Sequence, residues 1–184
     1  MTTHFTSPIL GVVVHADHKE RTMSTPFEVL KRHLDSHEWN YEAHEDRKVC
    51  ETGFTGENVQ VRIFLVIDED DDLMQCFAIL PFRVAEAQRA RICELICRMN
   101  FGLKVGKFEL DLSDGEVRHH ASSGFLAGVL PDEVISLVLA AVLLTTDRFY
   151  PAFMQVLFAG VSPKDACDAI ERAGPAGAPE TDGS

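Results

Sequence analysis

"NFGLKVGKFELDLSDGEVRHHAS", residues 100–122, is the stretch on which the fold turns. Asp114-Gly115 is the kind of dipeptide best suited to a two-residue type I′ hairpin turn, whose central residues both need positive φ. Placed there, it predicts a hairpin over 104–121. Ser113 then faces Glu116, Leu112 faces Val117, Asp111 faces Arg118, Leu110 faces His119, Glu109 faces His120 and Phe108 faces Ala121. That register gathers Phe108, Leu110, Leu112, Val117 and Ala121 on one face. It also makes Asp111–Arg118 and Glu109–His120 cross-strand pairs of opposite charge, each worth roughly 0.2–1 kcal/mol. The acidic residues beside two histidines are thus read as hairpin architecture. His119 and His120, adjacent in one strand, point to opposite faces and cannot hold one ion together.

Upstream, strand-like runs at about 47–55, 59–68 and 73–80 are separated by 56–58 and by the acidic turn 68–72. Links this short favour antiparallel neighbours, because parallel strands need crossovers of roughly a dozen residues or more. In the second run Val59, Val61, Ile63, Leu65 and Ile67 alternate onto one face, while Gln60, Arg62 and Asp68 mark the other. The third, "LMQCFAIL", is apolar on both faces and is expected to be central or covered, with Pro81 ending it. Residues 84–100 change to helical period, with Ile92, Leu95, Ile96 and Met99 facing the core. Ahead of the sheet, "TPFE" at 25–28 combines an N-cap threonine, a first-position proline and a capping-box glutamate, opening a helix with Phe27, Leu30 and Leu34 inward.

Downstream, a helix is expected from Pro131, with Asp132 and Glu133 suiting its dipole. Its residues Val134, Ile135, Leu137, Val138, Leu139, Val142, Leu143 and Leu144 exceed what one core-facing stripe needs. A second covering surface is therefore expected. It is either a partner, contacted through Val134, Leu137, Val138 and Val142, or the chain's own residues 151–159 or 9–14; an exposed face of the sheet is the other surface through which a second copy or a partner is expected to bind. Pro151 marks a new helix or a kink, Gly160 an end, and Ser162-Pro163 the start of a short last helix. The expected organisation is an extension over 1–24, an α+β domain over 25–160, a helix over 161–173 and a Gly/Pro-rich disordered tail over 174–184.

The chain has 184 residues, 46% hydrophobic and 25% charged, the composition of one folded domain. A net charge of −12 argues against nucleic-acid phosphates and anionic membrane surfaces as partners. The apolar run 134–144 is 11 residues, short of the roughly 20 that a membrane span needs. The N-terminus lacks a basic region and a cleavage site of the kind a signal peptide carries. Five cysteines without CxxC suit reduced thiols and a cytoplasmic setting.

Chemical motifs are sparse. His33 and His37 share a helix face as two metal ligands would, but nothing at zinc-like spacing joins them. The run 68–72 lacks the glycine and glutamate of a calcium loop, having Leu73 and Ile79 at those places. Cys93 and Cys97 read as small core residues. No nucleophile elbow or phosphate-binding loop occurs, and "GFTGE" at 53–57 leads to a strand rather than a helix.

The order helix, meander, helix, hairpin, long apolar helix resembles the YbjN family, described in terms of bacterial sensory-transduction regulation. The matching residues are "FTGEN" at 54–58, "LPF" at 80–82, Asn100, "GKFELD" with "DGEV" in the hairpin, and "DRFYPAF" at 147–153. The resemblance implies a type III secretion chaperone-like fold: an α+β domain whose antiparallel sheet, a three-stranded meander plus a hairpin, packs against helices. The helices at the C-terminus are additional. It implies a non-enzymatic, cytoplasmic regulatory or chaperone-like module that binds a protein partner or a second copy, with no cofactor. The alternatives are a type III secretion-type chaperone proper, a histidine-based metal sensor and an enzyme with a dispersed site.

Overall fold

The alternation at 61–67 is what lays the sheet down. Val61, Ile63, Leu65 and Ile67 are all buried on one face of a strand, and every neighbouring strand copies that parity. The computed structural model describes residues 24–173, so the readings made for 1–23 and for the tail lie outside it. Helix α1 (Pro26–Ser36) opens on the expected capping box, Thr25 accepting from the Glu28 amide and Glu28 from the Thr25 amide. Then come β1 (Tyr41–His44), β2 (Val49–Thr55), β3 (Gln60–Asp68), β4 (Leu73–Arg83), α2 (Arg89–Gly102), β5 (Lys107–Leu110), β6 (Glu116–Gly124), α3 (Asp132–Phe158) and α4 (Pro163–Arg172). The fold is α+β. One antiparallel sheet of six strands, ordered β1-β2-β3-β4-β6-β5, carries the helices.

Helix α3 is the spine of the core. Its first half (Ile135, Val138, Leu139, Val142, Leu143) packs with α1 on β2, β3 and β4. Its second half (Phe149, Ala152, Phe153, Val156, Leu157) packs with α2, α4 and the β5–β6 hairpin. By length and a mean hydropathy of 1.4 it is the one helix among the described residues long and apolar enough to cross a membrane. Here one side of it is consumed by the domain's own core.

Three expectations need correction. The hairpin forms, but its register is Leu110 with Val117, Glu109 with Arg118, Phe108 with His119 and Lys107 with His120. Two side chains lengthen the turn: Asp111 accepts from the Ser113 amide at 2.7 Å and Asp114 from the Glu116 amide at 2.8 Å, so residues 111–115 become a loop. The slip is two residues, so face parity survives. Leu112, expected in the core, is 60% exposed, and Arg118 pairs with Glu109 instead of Asp111. Pro81 does not end β4, because it sits where the ladder to β6 is interrupted between Ile79 and Arg83 and a missing N–H costs no bond. Pro151 neither breaks α3 nor starts a new helix, so 151–158 cannot cover the outer side of 132–146. Strand β1 was not anticipated; it is a four-residue edge strand carrying charge, as edges that avoid further pairing do.

Candidate functional site

The residues behind the family resemblance form joints. Asp147 on α3 reaches the β2–β3 loop, where its Oδ1 accepts from the Asn58 amide at 2.8 Å and the Val59 amide at 3.2 Å. Its Oδ2 accepts from Asn58 Nδ2 at 3.3 Å. A Cβ on Gly56 would lie 2.1 Å from that carboxylate, so "FTGEN" and "DRFYPAF" are two halves of one lock. Asn100 at the end of α2 donates to the Phe108 carbonyl at 2.9 Å and accepts from the Phe108 amide at 2.8 Å, occupying the outer edge of β5 as a strand would. Gly115, at φ +80, presses against the Val84 backbone, whose N–H donates to its carbonyl at 2.8 Å.

What these joints leave unoccupied is one face of the sheet. Both core clusters lie on the helical side, and neither contains Val49, Phe64, Val66, Phe77 or Ile79. The pairings set these side chains in rows across the strands: Glu51, Phe64, Phe77, His120 and Lys107 in one; Gly53, Arg62, Ile79, Arg118 and Glu109 in the next. Phe77 stacks on His120 with ring centroids 4.3 Å apart. The Arg118 guanidinium lies 4.8 Å from the Phe77 ring and that of Arg62 5.0 Å from the Phe64 ring. Among the described residues no helix packs on this face. A shallow concavity of about 800 Å³ runs along it, lined by Arg62, Phe64, Ile79, Pro81, Arg83 and Glu116 among others.

The charges on this face are internally matched. Arg62 pairs with Glu51 at 3.2 Å, Arg83 with Glu116 at 2.6 Å, and Glu109 with Arg118 at 2.6 Å and Lys107 at 2.9 Å. Burial opposes ionisation of Glu109, but the hydrogen bonds from Lys107 and Arg118 prevail and bring its pKa down to about 2. His120 is shifted down by burial, against the pull of Glu109. A carboxylate held ionised in this way anchors side chains and is poorly suited to exchanging protons near neutrality.

An exposed sheet face is one of the two interfaces the sequence offers, but nothing in it assigns that face to these residues. "LMQCFAIL", expected to be central or covered, is central, lying between β3 and β6, and among the described residues no helix covers its second face. The signal was Phe64, Val66, Phe77 and Ile79 at the positions that alternate with the core residues.

The four residues assigned to a partner surface separate. Val138 and Val142, at 1% and 0% exposure, are core residues, which removes them from any docking surface; Val134 is half-buried and Leu137 is 56% exposed. His33 is buried and contacts Asp132 at 3.2 Å, joining the end of α1 to the start of α3, and His37 stacks on it. Among the described residues no group of three or more His, Cys, Asp or Glu is arranged to hold a metal. Burial pushes the Cys50 thiol up to about 12 and the Cys76 thiol higher still, the reverse of an activated nucleophile. Cys97, expected inside, is exposed.

No curated protein matches the sequence. A crystal structure described as "YbjN, a putative transcription regulator from E. coli" superposes with a TM-score of 0.49 at 14% identity, covering 63% of this chain and 84% of that one. The YbjN family profile, described as "Putative bacterial sensory transduction regulator", matches residues 26–155, the span that runs from α1 through the Asp147 lock into the second half of α3. The chain therefore belongs to the YbjN family.

Proposed function

We propose that the protein is a non-enzymatic regulatory module that binds another polypeptide through the open face of its sheet. The observation that carries this reading is the row Phe64–Phe77–His120, flanked by Arg62, Ile79 and Arg118, on the side of the sheet opposite every described helix. Aromatic rings and guanidinium groups are the side chains over-represented in the binding centres of protein interfaces. The cross-strand ion pairs hold those guanidiniums in place, which lowers the entropy lost on binding. The perturbed groups support the non-enzymatic part: Glu109 is pinned as an anion, Cys50 and Cys76 as thiols, and His119 lies inside the core. A cytoplasmic setting suits the five free cysteines.

A pull-down from native cell extract tests the reading, comparing the full chain with a Phe64→Ser/Phe77→Ser variant shown by circular dichroism to be folded. A stoichiometric protein partner retained by the first and lost by the second is expected. A partner held equally by both overturns the sheet face as the docking site.

A further inference from the structure

A groove between α3, α4 and the β2–β3 loop is built around a cation that the fold leaves short of partners. It holds about 650 Å³, and none of the residues lining it borders the concavity on the open sheet face. Phe54, Leu103, Leu144, Phe149 and Ile170 make its walls largely apolar, and Leu144 is 69% exposed. Small-molecule sites have this size and this lining, with a few polar groups that fix the ligand's orientation.

Arg148 supplies the polar group, as the one cation among the lining residues. Its Cζ lies 5.5 Å from the Phe149 ring centroid and its Nη2 donates to the Ile170 carbonyl at 3.2 Å, which together hold the guanidinium in place. Its Nε, shut off from solvent, meets no acceptor, and among the described residues no carboxylate pairs with it. The adjacent Asp147 is spent on the β2–β3 loop, where it accepts from Asn58 and Val59, and Glu57, the other acid in the lining, is exposed to solvent. A guanidinium presents paired donors that match a carboxylate, and apolar surroundings strengthen that pairing relative to water. Net charge fixes the rest of the ligand. A chain at −12 repels anions at long range, so the charge that enters is a single one, carried on an apolar body whose burial supplies the affinity. We propose that this groove binds a free fatty acid of medium chain length, with its carboxylate on Arg148 and its alkyl chain against Phe54, Leu103 and Leu144. The site is separate from the open sheet face, so the two can be occupied independently.

Titration of the full chain with decanoate, followed by amide proton–nitrogen NMR, tests it. Saturable shifts are expected around Gly56, Asn58, Leu103 and Leu144, with a dissociation constant below about 1 mM. Octanoate, two methylenes shorter, should bind about tenfold more weakly. Arg148→Met keeps an apolar stem without the guanidinium, and Leu144→Glu sets a like charge beside the ligand, so each should weaken decanoate about tenfold or more. Because Arg148 also tethers the Ile170 carbonyl, the spectrum of each variant is checked for folding, and the exposed Leu144→Glu decides the matter if Arg148→Met unfolds. A full chain without saturable shifts up to about 1 mM decanoate, as it would behave if its own residues 174–184 filled the groove, overturns the proposal. So do shifts confined to the sheet face around Phe64 and Phe77, or a folded variant of either kind that weakens binding by less than about tenfold.

Discussion

Replacing His119 with leucine should remove much of the protein's sensitivity to mild acid. The imidazole is fully buried, its ring centroid 4.6 Å from that of Phe108, and neither nitrogen completes a hydrogen bond. Gly106, at φ +77, closes over it so tightly that a Cβ there would lie 2.9 Å from Nε2. Burial lowers its pKa from 6.5 to about 4; the Val142 carbonyl and Glu109 oppose that shift, while His120 adds to it. The unfolded chain therefore takes up a proton below about 6.5 while the native protein refuses one until about 4. Stability falls across that window as pH drops, and the loss is complete at its lower end. At about 1.4 kcal/mol for each tenfold change in proton activity, the loss comes to roughly 3 kcal/mol. Glu109 acts in a different window, since its depressed pKa of about 2 withholds stability only as pH falls below the ordinary carboxylate range. Urea unfolding followed through Trp39, the single tryptophan, at pH about 7, 5.5 and 4.5 measures the effect. Leucine is close enough in size to change stability near neutrality by less than about 1.5 kcal/mol. The native protein should then lose roughly 2–3 kcal/mol more than the variant on acidification. Stability curves that stay parallel for the two proteins would show that His119 is not the group excluded from protonation.

Three further outcomes follow from the joints. Asp147→Ala strips three donors in the β2–β3 loop of their acceptor and should cost about 2–3 kcal/mol, read as a fall of several degrees in Tm. Gly56→Ala should be damaging in the native background and much milder once Asp147 is alanine, because its Cβ would then enter the space of the removed carboxylate; additive losses in a double-mutant cycle would contradict the lock. Asn100→Ala leaves the Phe108 amide and carbonyl unpaired at the sheet edge and should cost about 2–3 kcal/mol by denaturant unfolding. Asn100→Asp keeps the shape but sets an anion against that carbonyl and should be no better.

Much of the fold was legible because period and parity are local properties. Thr25 to Glu28, the alternation at 59–67 and the Ser162 cap each name their structure from a few adjacent residues, and each is found as expected. The hairpin shows where locality fails. Asp114-Gly115 favours a two-residue turn in isolation, but Asp111 and Asp114 capture amides two residues on, and Val84 holds the Gly115 carbonyl from a distant part of the chain. Pro151 misleads for a related reason: a helix packed on the sheet by Phe149, Ala152 and Phe153 tolerates the loss of one internal hydrogen bond. The candidate surface was hidden differently. An apolar residue such as Phe77 looks the same in sequence whether a helix covers it or not, and only the placement of the four described helices on the other side of the sheet shows that none of them covers it.

The claim that the open sheet face is where a partner binds is tested most directly by site-specific photo-crosslinking in living cells. A benzophenone side chain replaces Phe77 in one strain and Phe101, 95% exposed on α2, in another. A discrete adduct with one other protein from position 77, none from position 101, and its loss when Arg62 and Arg118 become alanine is the predicted result. An adduct formed from position 101 and never from position 77 would contradict it.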